Sequence, residues 1–501
     1  MKTIIKYQLL ILANLFCGSV VNAQLYDNTF NSNGIWNRQI RTSANSINSV
    51  IMQPDGKILF AGSTSDASAP SYFIIGRINS DGTTDNSFDT DGYVEYTFNT
   101  GGYDGAYNVC YLNNKIYAAA NNEDNSNSYT LLVRLNNDGS IDNSFNGNGK
   151  LSPTIESFSN GSLVALPTSD NNIVVLGESS STFPTFHLSG FKVDENANFI
   201  NGFGTNGKTI LNVMSGIFNP DEVEILNDNS ILIVHNESLI KIKSNGHLDS
   251  TFGTDGIVDL SSISSSSFTG LSVQKDGKVI LCNSDENQKF SVYRLSSTGS
   301  IDASFGTNGK VAVTFGGISS GARTIVVDTS SVTGKIFAAG YSAYNGGTTS
   351  YIALARISSA DGSIEAQAEF QPNNLNCDTK DILLQTDGKV VIGANSIGYT
   401  TEDFVITRMN PNFTTVIAGV TLEESISVGV NIFPNPASQL VNIHSLYPIE
   451  KVSVLDILGN EVMNITNTGN TQIDISSLPK GLYNFVITTN KGVGNKKVSI
   501  Q

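Results

Sequence analysis

Asp302-Ala303-Ser304-Phe305-Gly306-Thr307-Asn308-Gly309-Lys310 is one copy of a turn that the chain writes several times. Asp142-Asn143-Ser144-Phe145-Asn146-Gly147-Asn148-Gly149-Lys150 and Asp249-Ser250-Thr251-Phe252-Gly253-Thr254-Asp255-Gly256 are others. The phenylalanine recurs at Phe30, Phe88, Phe145, Phe203, Phe252 and Phe305, with gaps of 58, 57, 58, 49 and 53 residues, and Phe370 continues the series after 65. A near-constant period of this size marks a repeat architecture built from one supersecondary unit.

Each period holds a second turn, Asp55-Gly56-Lys57, Asp276-Gly277-Lys278 or Asp387-Gly388-Lys389, with Thr333-Gly334-Lys335 and Asn113-Asn114, Asn171-Asn172 and Asp228-Asn229 as variants. Asp-Gly and Asn-Asn pairs tolerate the positive φ that tight hairpins require. Their flanks, such as Ile58-Leu59-Phe60 and Val390-Val391-Ile392, are β-type apolar runs. A third stretch, as in Tyr72 to Ile78, ends in a further turn such as Asp81-Gly82, and a fourth follows the Phe turn, as in Lys310 to Phe315.

Four strands per unit and seven units predict an all-β fold. A sheet with two apolar faces must stack on its neighbours. Radial stacking gives a seven-bladed β-propeller over residues 24–419, with an open stack or two separate β domains as the alternative. The last unit runs from Asp361-Gly362 into Ile364 to Phe370 without the Phe turn, so Thr414 to Ala418 is expected to complete a blade with N-terminal residues. The Asp-x-x-Phe-Gly-x-Asp/Asn-Gly turn, the Asp-Gly-Lys hairpin and the Arg-Leu-x-x-x-Gly segment resemble the delta-60 repeat of bacterial surface and secreted proteins. The resemblance implies a propeller-like fold and no settled activity.

Eleven residues before the Phe stands a base, Arg77, Arg134, Lys192, Lys241 or Arg294, with Arg356 and Arg408 at matching strand ends. Three before the Phe stands an acid, Asp85, Asp142, Asp249 or Asp302, and Ile200 in the third repeat. In one reading the cations line a channel and collect an anion. In the other each Arg satisfies its own Asp, which suits a base on a largely apolar face where an unpaired charge is costly. The second is the expectation, with the ion pairs Arg77 to Asp85, Arg134 to Asp142 and Arg294 to Asp302. The Phe is expected in the core rather than as a sugar platform. Asp89-Thr90-Asp91-Gly92 looks like part of a calcium loop, but Phe98 stands where the closing acid belongs, so a turn is expected.

Composition narrows the function. The chain has 45 acidic and 29 basic residues and a net charge of −16, which argues against duplex nucleic acid and anionic membranes. Residues 1–23 read as a secretory signal: Lys2 and Lys6, the apolar run Leu9 to Val21, then Val21-Asn22-Ala23. Cys17 raises lipidation, against which Phe16 is bulky where a small residue is expected. No later run is long enough for a transmembrane helix. Cys110, Cys282 and Cys377 show no pairing pattern and read as small strand residues. His187, His235, His247 and His444 are scattered, so no metal and no cofactor are expected. No His-Glu-x-x-His zinc-protease motif occurs in the sequence.

After a linker at 420–430 the period stops. Asn431-Ile432-Phe433-Pro434-Asn435-Pro436 opens a small unit as a Pro-broken loop, and strand patterns follow at Leu440 to His444, Lys451 to Leu455, Thr471 to Ile475, Leu482 to Thr488 and Lys496 to Ile500. Short strands in this number suggest an Ig-like sandwich. Residues 431–501 closely resemble the type A sorting domain of the type IX secretion system of Bacteroidota. The match rests on the Asn431 to Pro436 motif, Val454 to Gly459, Ile473 to Tyr483 and Lys496-Lys497-Val498-Ser499-Ile500. It implies that Asn431, Phe433, Pro434, Asn435, Pro436, Gly459, Gly481, Tyr483, Lys496 and Lys497 are sorting elements read by the secretion machinery. It also implies passage through the periplasm, then release or retention on the outer surface.

The expected function is therefore an exported, non-enzymatic propeller that binds a glycan, polymer or protein at the cell surface. Its variable loops, Asn121 to Ser128, Ser179 to Pro184 and Ser342 to Ser350, are the candidate contacts. The rival expectation is a secreted glycoside hydrolase or lyase using paired carboxylates at the channel mouth.

Overall fold

In the computed structural model the described residues are 25–67, 71–98, 104–123, 128–156, 158–182, 185–213, 222–398, 402–416, 431–445, 448–455, 461–466, 472–489 and 492–501. The expected signal, the 420–430 linker and Gly459 lie outside them. The chain forms two compact units that divide after Val416.

Seven four-stranded antiparallel sheets make up the first unit among the described residues. The first sheet is Ala44–Met52, Ile58–Ser65, Ser71–Ile78 and Tyr93–Tyr96. The second is Asp104–Leu112, Lys115–Glu123, Ser128–Asn136 and Lys150–Leu151. The third is Phe158–Pro167, Ile173–Thr182, Thr185–Val193 and Lys208–Leu211. The fourth is Glu222–Ile225, Ile231–His235, Ser238–Ile242 and Ile257–Asp259. The fifth is Gly270–Val273, Val279–Ser284, Phe290–Leu295 and Lys310–Val313. The sixth is Ser319–Val327, Lys335–Tyr344, Thr349–Ser358 and Ile364–Phe370. The seventh joins Asn376–Leu384, Val390–Ile397 and Glu402–Met409 to Ile35–Arg38 from the other end of the unit.

The second and third strands are apolar on both faces because each sheet is covered from two sides. Leu59 and Phe73 of the first sheet pack with Ile116 and Val133 of the second. Ile280 and Val292 of the fifth pack with Ile336 and Ala353 of the sixth. Equivalent cores join every other consecutive pair. Phe60 and Ile74 then pack with Phe404 and Ile406, joining the last sheet to the first and closing a ring. Each fully buried side chain of this kind contributes about 1.5–3 kcal/mol of transfer free energy. A sheet removed from the ring exposes two such cores at once.

The ring closes differently from the expectation. Ile35–Arg38 pairs with the third strand of the seventh sheet, Trp36 opposite Ile406. Val416, in the segment expected to do this, instead bridges in parallel to Ala368 of the sixth sheet. The reason lies in which sheet lacks its own ending. The seventh has no strand after Met409, and Asp27 and Phe30 bring the missing turn from the start of the chain. The sixth has Ile364–Phe370 as its fourth strand, so Phe370 is a strand residue and Phe413 takes the place of the turn Phe. Of the candidate contact loops, Asn121–Glu123, Ser179–Thr182 and Ser342–Tyr344 belong to strands, and 124–127 and 183–184 lie outside the described residues.

The second unit is a sandwich with its own core, among it Val441, Val454, Ile473, Phe485 and Val498. One sheet is Asn431–Phe433, Leu440–His444 and Gln472–Asp474. The other is Glu461–Thr466, Ile449–Leu455, Gly481–Thr489 and Gly492–Ile500. Asn431 to Phe433, expected as a loop, pairs with Asn442 to His444. The prolines act only after it, at Pro434 and Pro436, where both X-Pro bonds are cis.

Candidate functional site

At most seams between sheets the repeat brings together one base, one acid and one ring. Arg77 Nε lies 2.6 Å from Asp85 Oδ2, and Lys57 of the hairpin turn reaches the same oxygen at 2.7 Å. Arg134 and Lys115 hold Asp142 at 2.9 and 2.8 Å, and Arg294 and Lys278 hold Asp302 at 2.9 and 3.0 Å. Arg408 and Lys389 hold Asp27 at 2.7 and 3.2 Å, joining opposite ends of the unit. In the sixth sheet Arg356 and Lys335 share Glu365.

Each guanidinium also crosses to the next sheet. Arg77 donates to the Asn137 carbonyl, Arg408 to that of Ser80 and Arg356 to that of Pro411, each at 2.5 Å. Arg134 donates to the Glu195 carbonyl and Arg294 to that of Ser359. Beneath lies the repeated ring: Arg77 stands 4.7 Å from the centre of Phe88, and Arg294 4.6 Å from that of Phe305. On the ring's other side sits the turn glycine of the next sheet. A Cβ on Gly139 would lie 3.1 Å from Phe88, so a side chain there crowds the seam. These cations are buried in pairs rather than arrayed for an anion. Arg294 is 1% exposed and Arg77 3%.

The acids carry the electrostatic signature of that geometry. Burial pushes Asp85 up, but hydrogen bonds from Lys57, Ser87 and Arg77 outweigh it and hold the carboxyl well below the usual range. Asp142 behaves likewise, and Asp27 is held at about 2 against its own burial by Thr29, Lys389 and Arg408. For Asp302 the Ser304 hydrogen bond leads and the direction is the same.

Two sheets depart. In the third, Lys192 turns to Asp170 of its own hairpin at 2.8 Å. In the fourth, Lys241 turns to Asp249 at 3.2 Å. The carbonyl that a guanidinium would meet across the fourth seam is that of Ser297, in register with Asn137, Ser359 and Ser80. The hairpin position held by Gln53 and Gln274, whose amides also reach across their seams, is Leu226 in the fourth sheet.

A pocket of about 560 Å³ opens at this seam. Lys241, Leu226 and Phe252 line it from the fourth sheet, and Gln274, Lys275 and Ser297 from the fifth. Glu224 also lines it. Hairpin register puts Glu224 where the other sheets have Ile51, Cys110, Leu166, Ser272, Val326 and Leu383. Glu224, Leu232 and Lys241 form one cross-strand row and so share a face. Among the described residues no hydrogen-bond donor meets the Glu224 carboxyl, and burial pushes it up to about 7. A shallower hollow of about 450 Å³ at the first seam is lined by Lys57, Arg77 and Lys115, and there the guanidinium is in place.

The remaining candidates are structural. Cys110, Cys282 and Cys377 are buried thiols in no disulfide, and burial raises Cys377 to about 12. Among the described residues no cluster of metal-ligating side chains occurs. In the second unit Phe433 is 51% exposed, Pro434, Asn435, Pro436, Gly481 and Lys496 are exposed, and Tyr483 donates to the Pro479 carbonyl at 2.8 Å. Asn435 Oδ1 accepts from the Ser499 N–H at 2.9 Å, tying the motif to the last strand.

Residues 431–501 match the family model described as secretion system C-terminal sorting domain. The chain ends in a type IX sorting domain. That domain directs the protein to the cell surface or out of the cell, through the type IX secretion machinery. Residues 53–88, 113–145 and 274–305 match the model described as domain of unknown function (DUF5122) beta-propeller. Each matched stretch runs from a hairpin turn to the Phe and contains one Arg and Asp pair. The sorting domain thus exports a β-propeller. No helix of the described residues is long and apolar enough to cross a membrane. No curated protein matches the sequence. Similar solved structures include Sqt1 from Chaetomium thermophilum, 9% identical over 92% of this chain and 97% of that one, with a TM-score of 0.43. The polysaccharide lyase Uly1 is 8% identical over 73% and 90%, with a TM-score of 0.44. A mutant of the NanB sialidase from Streptococcus pneumoniae is 8% identical over 73% and 68%, with a TM-score of 0.37.

Proposed function

We propose that the exported propeller is a binding module for a glycan, polymer or protein at the cell surface, without catalysis of its own. The open seam between the fourth and fifth sheets carries the reading. Five seams are sealed by arginine, and this one presents a pocket of ligand size with mixed polar and apolar walls. The rigid ring gives such a pocket a fixed shape, which lowers the ordering cost of binding.

A hydrolase reading has one observation in its favour. Glu224, raised to about 7, shares the pocket with Asp228, whose carboxyl is lowered chiefly by Ser230. Two carboxyls with separated pKa values are the pattern of glycoside cleavage. Asp228 is engaged elsewhere, however. Its Oδ1 accepts both the N–H and the hydroxyl of Ser230, the same turn bond that Asp55 and Asp276 make to the N–H groups of Lys57 and Lys278. Among the described residues that line the pocket this leaves one unengaged carboxyl, which suits recognition better than acid–base chemistry.

The test is an array of envelope glycans, polymers and surface proteins probed with the full chain, beside an assay for polymer shortening. Retention on one class without shortening is the expected result. Shortening by the native protein that vanishes in Glu224→Gln overturns the reading in favour of the hydrolase.

A further inference from the structure

The open seam is a vacancy of known shape. In five seams a guanidinium fills the space between the sheets, ion-paired with its own sheet's acid and donating to a carbonyl of the next sheet's turn. At the fourth seam Lys241 is shorter in reach and lacks the planar fork that bridges two acceptors. Its Nζ stays with Asp249, 5.7 Å from the centre of Phe252, where four of the five arginines stand 4.6 to 4.7 Å from Phe305, Phe88, Phe145 and Phe30 and Arg356 stands 5.2 Å from Phe413. The Ser297 carbonyl and the Phe252 ring therefore face a space that no guanidinium of the chain occupies.

The same seam has gained a negative group. Glu224 stands in a row that is otherwise apolar or small, on the face it shares with Lys241. It keeps contact with solvent through the pocket while the surrounding chain strips most of its water, and burial alone raises its carboxyl. An uncompensated carboxylate in such a place is stabilised by a cation that brings hydrogen-bond donors. Lys275, the other base on the wall, is turned to the Ser330 carbonyl at 3.1 Å, and Lys241 is already paired. A whole-chain charge of −16 draws cations toward the surface.

We propose that the pocket between the fourth and fifth sheets binds a guanidinium group, supplied by an arginine side chain of a partner protein or by a free guanidinium compound. The ligand's planar fork takes the place that arginine has in the sibling seams, donating to the Ser297 carbonyl and to Glu224, with Phe252 beneath. The pocket's volume leaves room for flanking peptide as well as the side chain. The proposal rests on reading this protein as a binding module and names the chemistry its pocket selects.

The test is calorimetric titration of the full chain with a capped Gly-Arg-Gly peptide, its lysine and citrulline counterparts, and methylguanidinium. The arginine peptide is expected to bind about tenfold more tightly than the lysine peptide, and the uncharged citrulline peptide not to bind. Methylguanidinium as tight as the peptide points to a free compound, and a tighter peptide to a protein side chain. Both outcomes support the guanidinium site. Glu224→Gln is expected to weaken the arginine peptide by about tenfold or more. Lys241→Arg fills the space from within and is expected to abolish binding while leaving the fold intact, since it restores the residue of the sibling sheets. Equal binding of arginine and citrulline peptides, full binding by Lys241→Arg, or no binding by any probe overturns the proposal. A hit on the wider array with none of these probes overturns this inference alone and leaves the binding function standing.

Discussion

The fifth seam and the fourth are built from the same turn and hairpin, and they end differently. At the fifth, Arg294 is buried to 1% exposure, clasps Asp302 and reaches the Ser359 carbonyl, and Gln274 reaches the same carbonyl at 3.2 Å. At the fourth, Lys241 and Leu226 replace those two bridging residues, Glu224 replaces an apolar one, and a pocket of about 560 Å³ remains. The chain thus contains its own control. Where a repeat keeps its arginine it is sealed. The third sheet also has lysine for arginine, at Lys192, and threonine for glutamine, at Thr168, but it keeps Leu166 where the fourth has Glu224, so the gained carboxylate beside the two lost bridges is what sets the fourth seam apart.

Breaking the sealed seam is expected to have the largest effect. Arg294→Ala leaves Asp302 with a lysine alone and uncovers Phe305, so urea unfolding of the propeller should show a loss of about 3 kcal/mol. Lys241→Ala removes a weaker, more exposed pair and should cost about 1 kcal/mol or less in the same measurement. Equal losses would mean that the two seams are not different in kind.

Acid should erase the sealed seams as a group. Asp27, Asp85, Asp142 and Asp302 have folded pKa values depressed below the unfolded value. Such groups contribute stability that is present above about pH 4 and is lost as pH falls toward 2. Asp302→Asn should therefore be less stable than the native chain at pH 7, and the gap should narrow between pH 4 and 2, followed by circular dichroism in urea.

Glu224 carries the opposite sign. Its folded pKa, about 7, lies above the unfolded value, so its contribution is full below about pH 4 and is lost as pH rises through 7. Glu224→Gln should match the native protein near pH 4 and exceed it by on the order of 1 kcal/mol at pH 8. A pH-independent difference would place the carboxyl in water rather than in a seam.

How far the sequence speaks depends on whether a feature repeats. The base eleven before each Phe and the acid three before it were enough to pair Arg77, Arg134 and Arg294 with their acids, because an eight-residue offset across one turn leaves few alternatives. The four-strand unit was readable for the same reason. Ring closure was not, because Ile35-Trp36-Asn37-Arg38 is four residues with no repeat of its own, and its partner lies more than three hundred residues away. Phe413 was missed because the sixth repeat's turn is split between distant segments. The pocket was missed for a subtler reason: grouping Lys241 with the arginines as one basic position hid the difference that matters. Lysine for arginine, leucine for glutamine and glutamate for an apolar residue, all in one repeat, were the available signal. In the sorting domain the prolines drew attention from Asn431 to Phe433, whose strand ends just before the first of them.

The most direct test is a reciprocal exchange, Arg294→Lys and Lys241→Arg, each measured by urea unfolding of the propeller at pH 7. If guanidinium bridges seal this ring, the first loses stability by about 1–2 kcal/mol and the second gains a comparable or smaller amount. Two changes of the same sign, or a Lys241→Arg chain whose pocket stays open in its crystal structure, would contradict it.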